Sequence, residues 1–127
     1  NNRMVEVENI ILPDQTEDVE TKLLEAFTSN YDIIISTGST GIGSRDIAPE
    51  AIKPLLDKEI PGIMDMVRLK YGAKKPNALI SRAFAGTKNK TLVFAIPGSP
   101  KAVQEYMNEI TPIVFHCFNM LYAIDNH

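Results

Sequence analysis

The chain has 127 residues, 44% of them hydrophobic and 23% charged, which is enough apolar material for one core and reads as a single α/β domain over residues 1–127. A net charge of −3 lacks the basic surplus that nucleic acid demands, and no apolar run approaches the ~18 residues of a membrane span, so neither nucleic acid nor a membrane is expected as a partner. Cys117 is the only cysteine. That excludes an internal disulfide and a cysteine-type structural zinc, and without a signal-peptide pattern it points to a reducing, cytoplasmic setting.

In chain order, Val5 to Leu12 reads as a strand, with Val5 and Val7 alternating with Glu6 and Glu8 before Ile10-Ile11-Leu12. Pro13-Asp14 ends it. From Thr16 to Ser29, Val19, Leu23, Ala26 and Phe27 share one helical face. Asp32 to Thr37 is a second strand, apolar enough for burial on both faces as in a parallel sheet. A loop with Gly38, Gly41 and Gly43 follows, and Pro49 then opens a helix with Ile52, Leu55 and Leu56 inward, making Ala48 the expected cap. Pro61-Gly62 precedes a short helix over Ile63 to Tyr71, and Asn77 to Phe84 is read as a short strand. Thr91 to Ile96 is a strand, Ser99-Pro100 caps and starts a helix, and Pro112 starts the last one. In that helix Ile113, Val114, Cys117, Phe118 and Leu121 face inward, while Phe115, Met120 and Tyr122 add apolar surface beyond one face. Strands alternating with helices predict a mostly parallel sheet.

Ligands bind such sheets beyond the carboxyl ends of the strands. Three strand ends carry distinctive residues: Pro13-Asp14, the glycine loop with Asp46, and Pro97-Gly98-Ser99-Pro100. A strand, a glycine loop and a helix start expose N–H groups to a phosphate, and two carboxylates beside them suit magnesium. Each piece has a plainer use. Glycine loops also serve as turns, Asp14 can cap the following helix, Ser99 is explained as a cap, and Arg45, Arg68 and Arg82 read as surface residues. Asp46 is harder to dismiss, because it lies outside the capping position. The convergence of three loops carries the expectation of a phosphorylated ligand.

Thr37-Gly-Ser-Thr-Gly-Ile-Gly-Ser-Arg-Asp-Ile-Ala-Pro-Glu-Ala51 resembles the signature of the MogA/MoaB family of molybdenum cofactor biosynthesis, Thr-Gly-Gly-Thr-Gly followed by Arg-Asp-Val-Thr-Pro-Glu-Ala. Pro61-Gly62 with Arg68, Leu79-Ile-Ser-Arg82, Ala85-Gly86, Pro97-Gly-Ser-Pro100 and the His116 region match in order. The resemblance implies a three-layer αβα sandwich that binds molybdopterin and assembles as a trimer or hexamer. In MogA-like members it implies magnesium-dependent adenylylation of molybdopterin by ATP, with Asp14 and Asp46 as the catalytic and metal-holding acids. Thr37, Gly38, Ser39, Thr40, Gly41, Gly43, Ser81, Pro97, Gly98, Ser99 and Pro100 are the binding residues it implies. A MoaB-type binding protein with little turnover and an inactive oligomeric scaffold are the alternatives.

Ser39 stands where the signature has its second glycine, and Ala48 where it has threonine before Pro49. Ser39 is expected to put a side chain near the ligand, and Ala48 to forgo a helix cap worth ~1 kcal/mol. The family's first strand, its Asp-Arg-Ser-type loop and the following helix have no counterpart in these residues.

Overall fold

The computed structural model describes residues 6–123. Helix α1 (Thr16–Thr28) leads to strand β1 (Ile33–Thr37), helix α2 (Ala48–Ile52), strand β2 (Lys58–Glu59) and helix α3 (Pro61–Gly72). Strands β3 (Phe84–Lys88) and β4 (Thr91–Ile96) form a hairpin, and helices α4 (Pro100–Ile110) and α5 (Val114–Leu121) complete the order. Short 3-10 turns extend α2 over Lys53–Leu55, precede β3 over Pro76–Ile80 and precede α5 over Thr111–Ile113.

The strand order is β1-β4-β3-β2. Every residue of β4 is buried, and alternation sends successive side chains to opposite faces. Leu92, Phe94 and Ile96 pack with Met64, Val67, Tyr106, Ile110 and Val114, so α3, α4 and α5 cover that face. Val93 and Ala95 pack with Leu23, Phe27, Ala48, Ala51 and Ile52, so α1 and α2 cover the other. The result is the expected αβα sandwich.

The sheet is mixed, where a mostly parallel one is expected. β1 pairs with β4 in parallel, but β4 with β3 and β3 with β2 are antiparallel. The short turn after Lys88 returns the chain directly, and a tight turn can join only antiparallel strands. Three further expectations fail. Residues 6–12 form no strand, and Val7 and Ile11 are 79% and 99% exposed; Val5 lies outside the described residues. Their alternation has no strand to pair with, and strand propensity is realised only in a ladder. β1 is an edge among the described strands, which leaves Ile35 exposed. Pro76 turns the segment expected as a strand from Asn77 into 3-10 structure, since proline fixes φ and lacks an N–H, and β3 begins only at Phe84.

Candidate functional site

The parallel register sets Thr37 beside Ile96, so the chains leaving β1 and β4 emerge side by side at one rim. The Gly38 N–H donates to the Ile96 carbonyl at 2.8 Å, and a Cβ on Gly98 would lie 3.1 Å from the Gly38 Cα. Two strand ends that sequence reading expected to converge therefore do. Between them lies a cavity of about 470 Å³ lined by Ser39, Thr40, Gly41, Asp46, Asn77, Ile80, Ser81, Pro97 and Gly98.

The glycine loop is closed from inside. Gly38 and Ser39 are both left-handed, with φ of 93° and 62°. Asp46 folds back so that its Oδ2 accepts the Gly43 N–H at 2.7 Å. A Cβ on Gly41 would sit 2.7 Å from that same oxygen, so the loop wraps the carboxylate too closely for a side chain there. The N–H groups at both ends of the expected cradle, Gly38 and Gly43, are thus spent inside the protein. Among the described residues, those of Ser39, Thr40, Gly41 and Ile42 have no protein acceptor.

Arg82, expected as a surface residue, fastens the loop from the approach to β3. Its N–H donates to the Thr40 carbonyl at 2.7 Å, its Nε to the Gly41 carbonyl at 2.7 Å and its Nη2 to the Asp46 carbonyl at 2.8 Å. Its Nη1 also reaches Glu50 on α2 at 2.7 Å and holds that carboxyl below the usual carboxylate range. The planar fork of a guanidinium suits such simultaneous bonds, which a lysine cannot reproduce. The signal available in the sequence was the Ser81-Arg82 pair itself.

Ser81 borders the cavity with its Oγ held by two donors, the Ala83 N–H at 3.2 Å and the Tyr106 hydroxyl at 3.3 Å. Its remaining hydrogen is left to donate. Asn77 and Ile80 also line the cavity; Ile80 lies within the Leu79-Ile-Ser-Arg82 match, whereas no motif marked Asn77. Ser99 caps α4 as expected, accepting the Ala102 N–H at 3.3 Å, and it is not among the residues lining the cavity; nor are Gly43, Thr37 at the end of β1 or Pro100 at the start of α4.

The helix after the loop is capped at Ile47, one residue earlier than expected, and Ala48 is its first residue. Asp14 stays apart. It is exposed just before α1 and makes no hydrogen bond with the loop among the described residues. The strand expected to carry Asp14 to the rim does not form, and Asp14 is not among the residues lining the cavity. Among the described residues, no three acidic, histidine or cysteine side chains converge as a metal cage. The donors present suit magnesium in its usual nucleotide-bound manner, one carboxylate plus phosphate oxygens, with Asp46 as the carboxylate.

Comparison with known proteins matches residues 2–116 to the family described as a probable molybdopterin binding domain. A molybdopterin adenylyltransferase of Helicobacter pylori is 32% identical over 112 residues, covering 87% of this chain and 64% of that protein. Molybdenum cofactor biosynthesis protein B of Staphylococcus carnosus is 40% identical over 114 residues, covering 87% and 67%. The crystal structure of the molybdopterin biosynthesis enzyme MoaB from Thermus thermophilus superposes with a TM-score of 0.79 at 36% identity, covering 87% of this chain and 70% of that one. The chain thus spans about two thirds of the length of these relatives. Among the described residues, no helix is long and apolar enough to cross a membrane.

Proposed function

Because the chain belongs to the probable molybdopterin binding domain family of molybdenum cofactor biosynthesis, we propose that its rim cavity binds molybdopterin and ATP and supports adenylylation of the pterin's phosphate. A phosphate oxygen of molybdopterin attacks the α-phosphorus of ATP, the bond to the β-phosphate oxygen breaks, and pyrophosphate leaves. Such transfer needs positioning and charge neutralisation more than a proton-transfer residue.

The observation that carries this reading is the closed glycine loop. It leaves the N–H groups of Ser39, Thr40 and Gly41 without a protein acceptor, and these three residues line one cavity with Asp46, Pro97 and Gly98. Fixed N–H donors stabilise an anion without reorganising when it arrives. The Ser81 hydroxyl offers a further donor, and the start of α4 behind Ser99 favours negative charge. Magnesium, when bound, would offset charge on the phosphates, held on the protein side by Asp46. Asp14 is assigned to the same phosphates on the family resemblance.

A second reading, binding without efficient turnover, is favoured because Asp46 is, among the described residues, the single carboxylate lining the cavity. In either reading the chain self-associates, since Phe115 and Met120 on α5 and Tyr122 just after it are 53%, 61% and 47% exposed. Isothermal titration of the full protein with magnesium and ATP tests the reading. Binding at micromolar to millimolar nucleotide is expected, and none at millimolar nucleotide from folded protein overturns it. Pyrophosphate release on adding molybdopterin then separates enzyme from binding protein.

A further inference from the structure

We propose that Ser39 is a positioning residue: its hydroxyl clasps the two ends of the glycine loop and holds the intervening N–H groups in their ligand-ready arrangement before any ligand arrives. The inference rests on the reading that this loop binds phosphate. Its basis is one side chain bridging eight residues. The Ser39 Oγ donates to the Arg45 carbonyl at 2.9 Å and accepts the Ile47 N–H at 2.7 Å. The Ser39 carbonyl accepts the Ala48 N–H at 3.0 Å.

The start of α2 would otherwise be uncapped, because Ile47 at the cap position has no side-chain acceptor. The hydroxyl therefore satisfies a donor there from across the loop. It achieves this with a φ of 62°, a conformation that favours glycine and disfavours serine. A strained serine is retained where glycine would be free of strain, and the two bonds it makes are what glycine cannot supply. Ser39 lines the cavity, and both of its hydroxyl bonds run to the backbone that closes the loop.

Ser39→Gly and Ser39→Ala separate the parts. Glycine removes both bonds and the strain, whereas alanine removes the bonds and keeps the strain. Two measurements on the full protein are made: hydrogen exchange at the bonded amides of the loop, Gly43, Asp46 and Ala48, and titration with magnesium and ATP. With Ser39→Gly, exchange in the loop should quicken about tenfold or more while α4 is unchanged, and nucleotide affinity should fall about tenfold with the melting temperature within a few degrees of the parent. Ser39→Ala should weaken binding similarly and melt lower than the glycine variant. Unchanged exchange in Ser39→Gly overturns the clasp. Quickened exchange with parental affinity overturns the positioning role and leaves a structural one. A parent protein that binds no nucleotide overturns the phosphate reading instead, and the clasp is then judged by exchange alone.

Discussion

Asp46 is asked to do two things at once, and Asp46→Asn and Asp46→Ala divide them. Its Oδ2 closes the loop on the Gly43 N–H at 2.7 Å, and under the proposed function its carboxylate would also hold magnesium. Asparagine keeps the shape, so its carbonyl oxygen can accept the same N–H. What is lost is the charge assistance of that bond, which is about half of its ~1.5–3 kcal/mol, or roughly 1 kcal/mol. For a domain of this size that is a fall of about 4 °C in melting temperature. Alanine loses the whole bond and the carboxylate around which Gly41 and Gly43 are wrapped, roughly 2 kcal/mol and twice the fall. Turnover should behave differently. Both variants remove the anionic ligand, so pyrophosphate release from magnesium, ATP and molybdopterin should drop about a hundredfold in each, equivalent to roughly 2.7 kcal/mol of barrier. Differential scanning fluorimetry beside the pyrophosphate assay gives both numbers. Near-parental release by Asp46→Asn would refute the metal role, and equal melting of the two variants would refute the loop closure.

Arg82→Lys should melt several degrees lower and quicken loop exchange nearly as much as Arg82→Ala, because an ammonium cannot bridge Gly41, Asp46 and Glu50 together; parental melting of the lysine variant would refute the clamp. Phe94→Ala, at the centre of a fully buried strand, should cost about 3–5 kcal/mol by urea denaturation, and a cost below about 1 kcal/mol would mean that the two-faced core is misplaced. Acid should destabilise the fold. Glu50, Asp57 and Glu109 are held below the usual carboxylate range, by Arg82, by the Asn89 N–H with Lys88, and by Lys70 with Tyr71. Depressed folded values mean that the unfolded chain binds more protons, so this stability is present above about pH 4.5 and is lost as pH falls through the depressed values. Urea midpoints that stay level between neutral pH and about pH 3.5 would contradict it. Size exclusion with light scattering should give a multiple of the 14.1 kDa chain mass; a monomer at micromolar concentration would show α5's exposed aromatic residues to be uncovered.

The fold was legible wherever local pattern and tertiary context agreed. Leu92 to Ile96 is apolar throughout and, with Thr91, is buried throughout, and Ser99-Pro100 opens α4 by a cap that chemistry alone dictates. Pattern failed where pairing decided. Val7 and Ile10 to Leu12 have strand composition but no neighbour to complete a ladder, so composition produced no strand. The antiparallel hairpin was hidden for a related reason: the few residues between Lys88 and Thr91 fix strand direction, and alternation of helices and strands elsewhere suggested parallel pairing. The last helix was legible in both respects, since Cys117, Phe118 and Leu121 pack inward while Phe115 and Met120 do not.

The site was legible as a place and less so as a mechanism of holding shape. Sequence placed Asp46 and Pro97-Gly98 at one rim because strand ends on a parallel pair must emerge together, and β1 with β4 is the pair that does so. It could not assign Arg82, because an arginine's role here depends on three carbonyl and carboxylate groups supplied by residues up to 41 positions away. It also read Ser39 and Ala48 as two independent departures from a signature. In the folded chain they belong to one arrangement: the Ser39 carbonyl accepts the Ala48 N–H and its hydroxyl accepts that of Ile47, so the helix start receives from residue 39 what a neighbouring threonine would otherwise be expected to give. A signature read position by position counts losses. Hydrogen-bond partners read in space show where each loss is offset, and here the offset lies in the wall of the cavity itself.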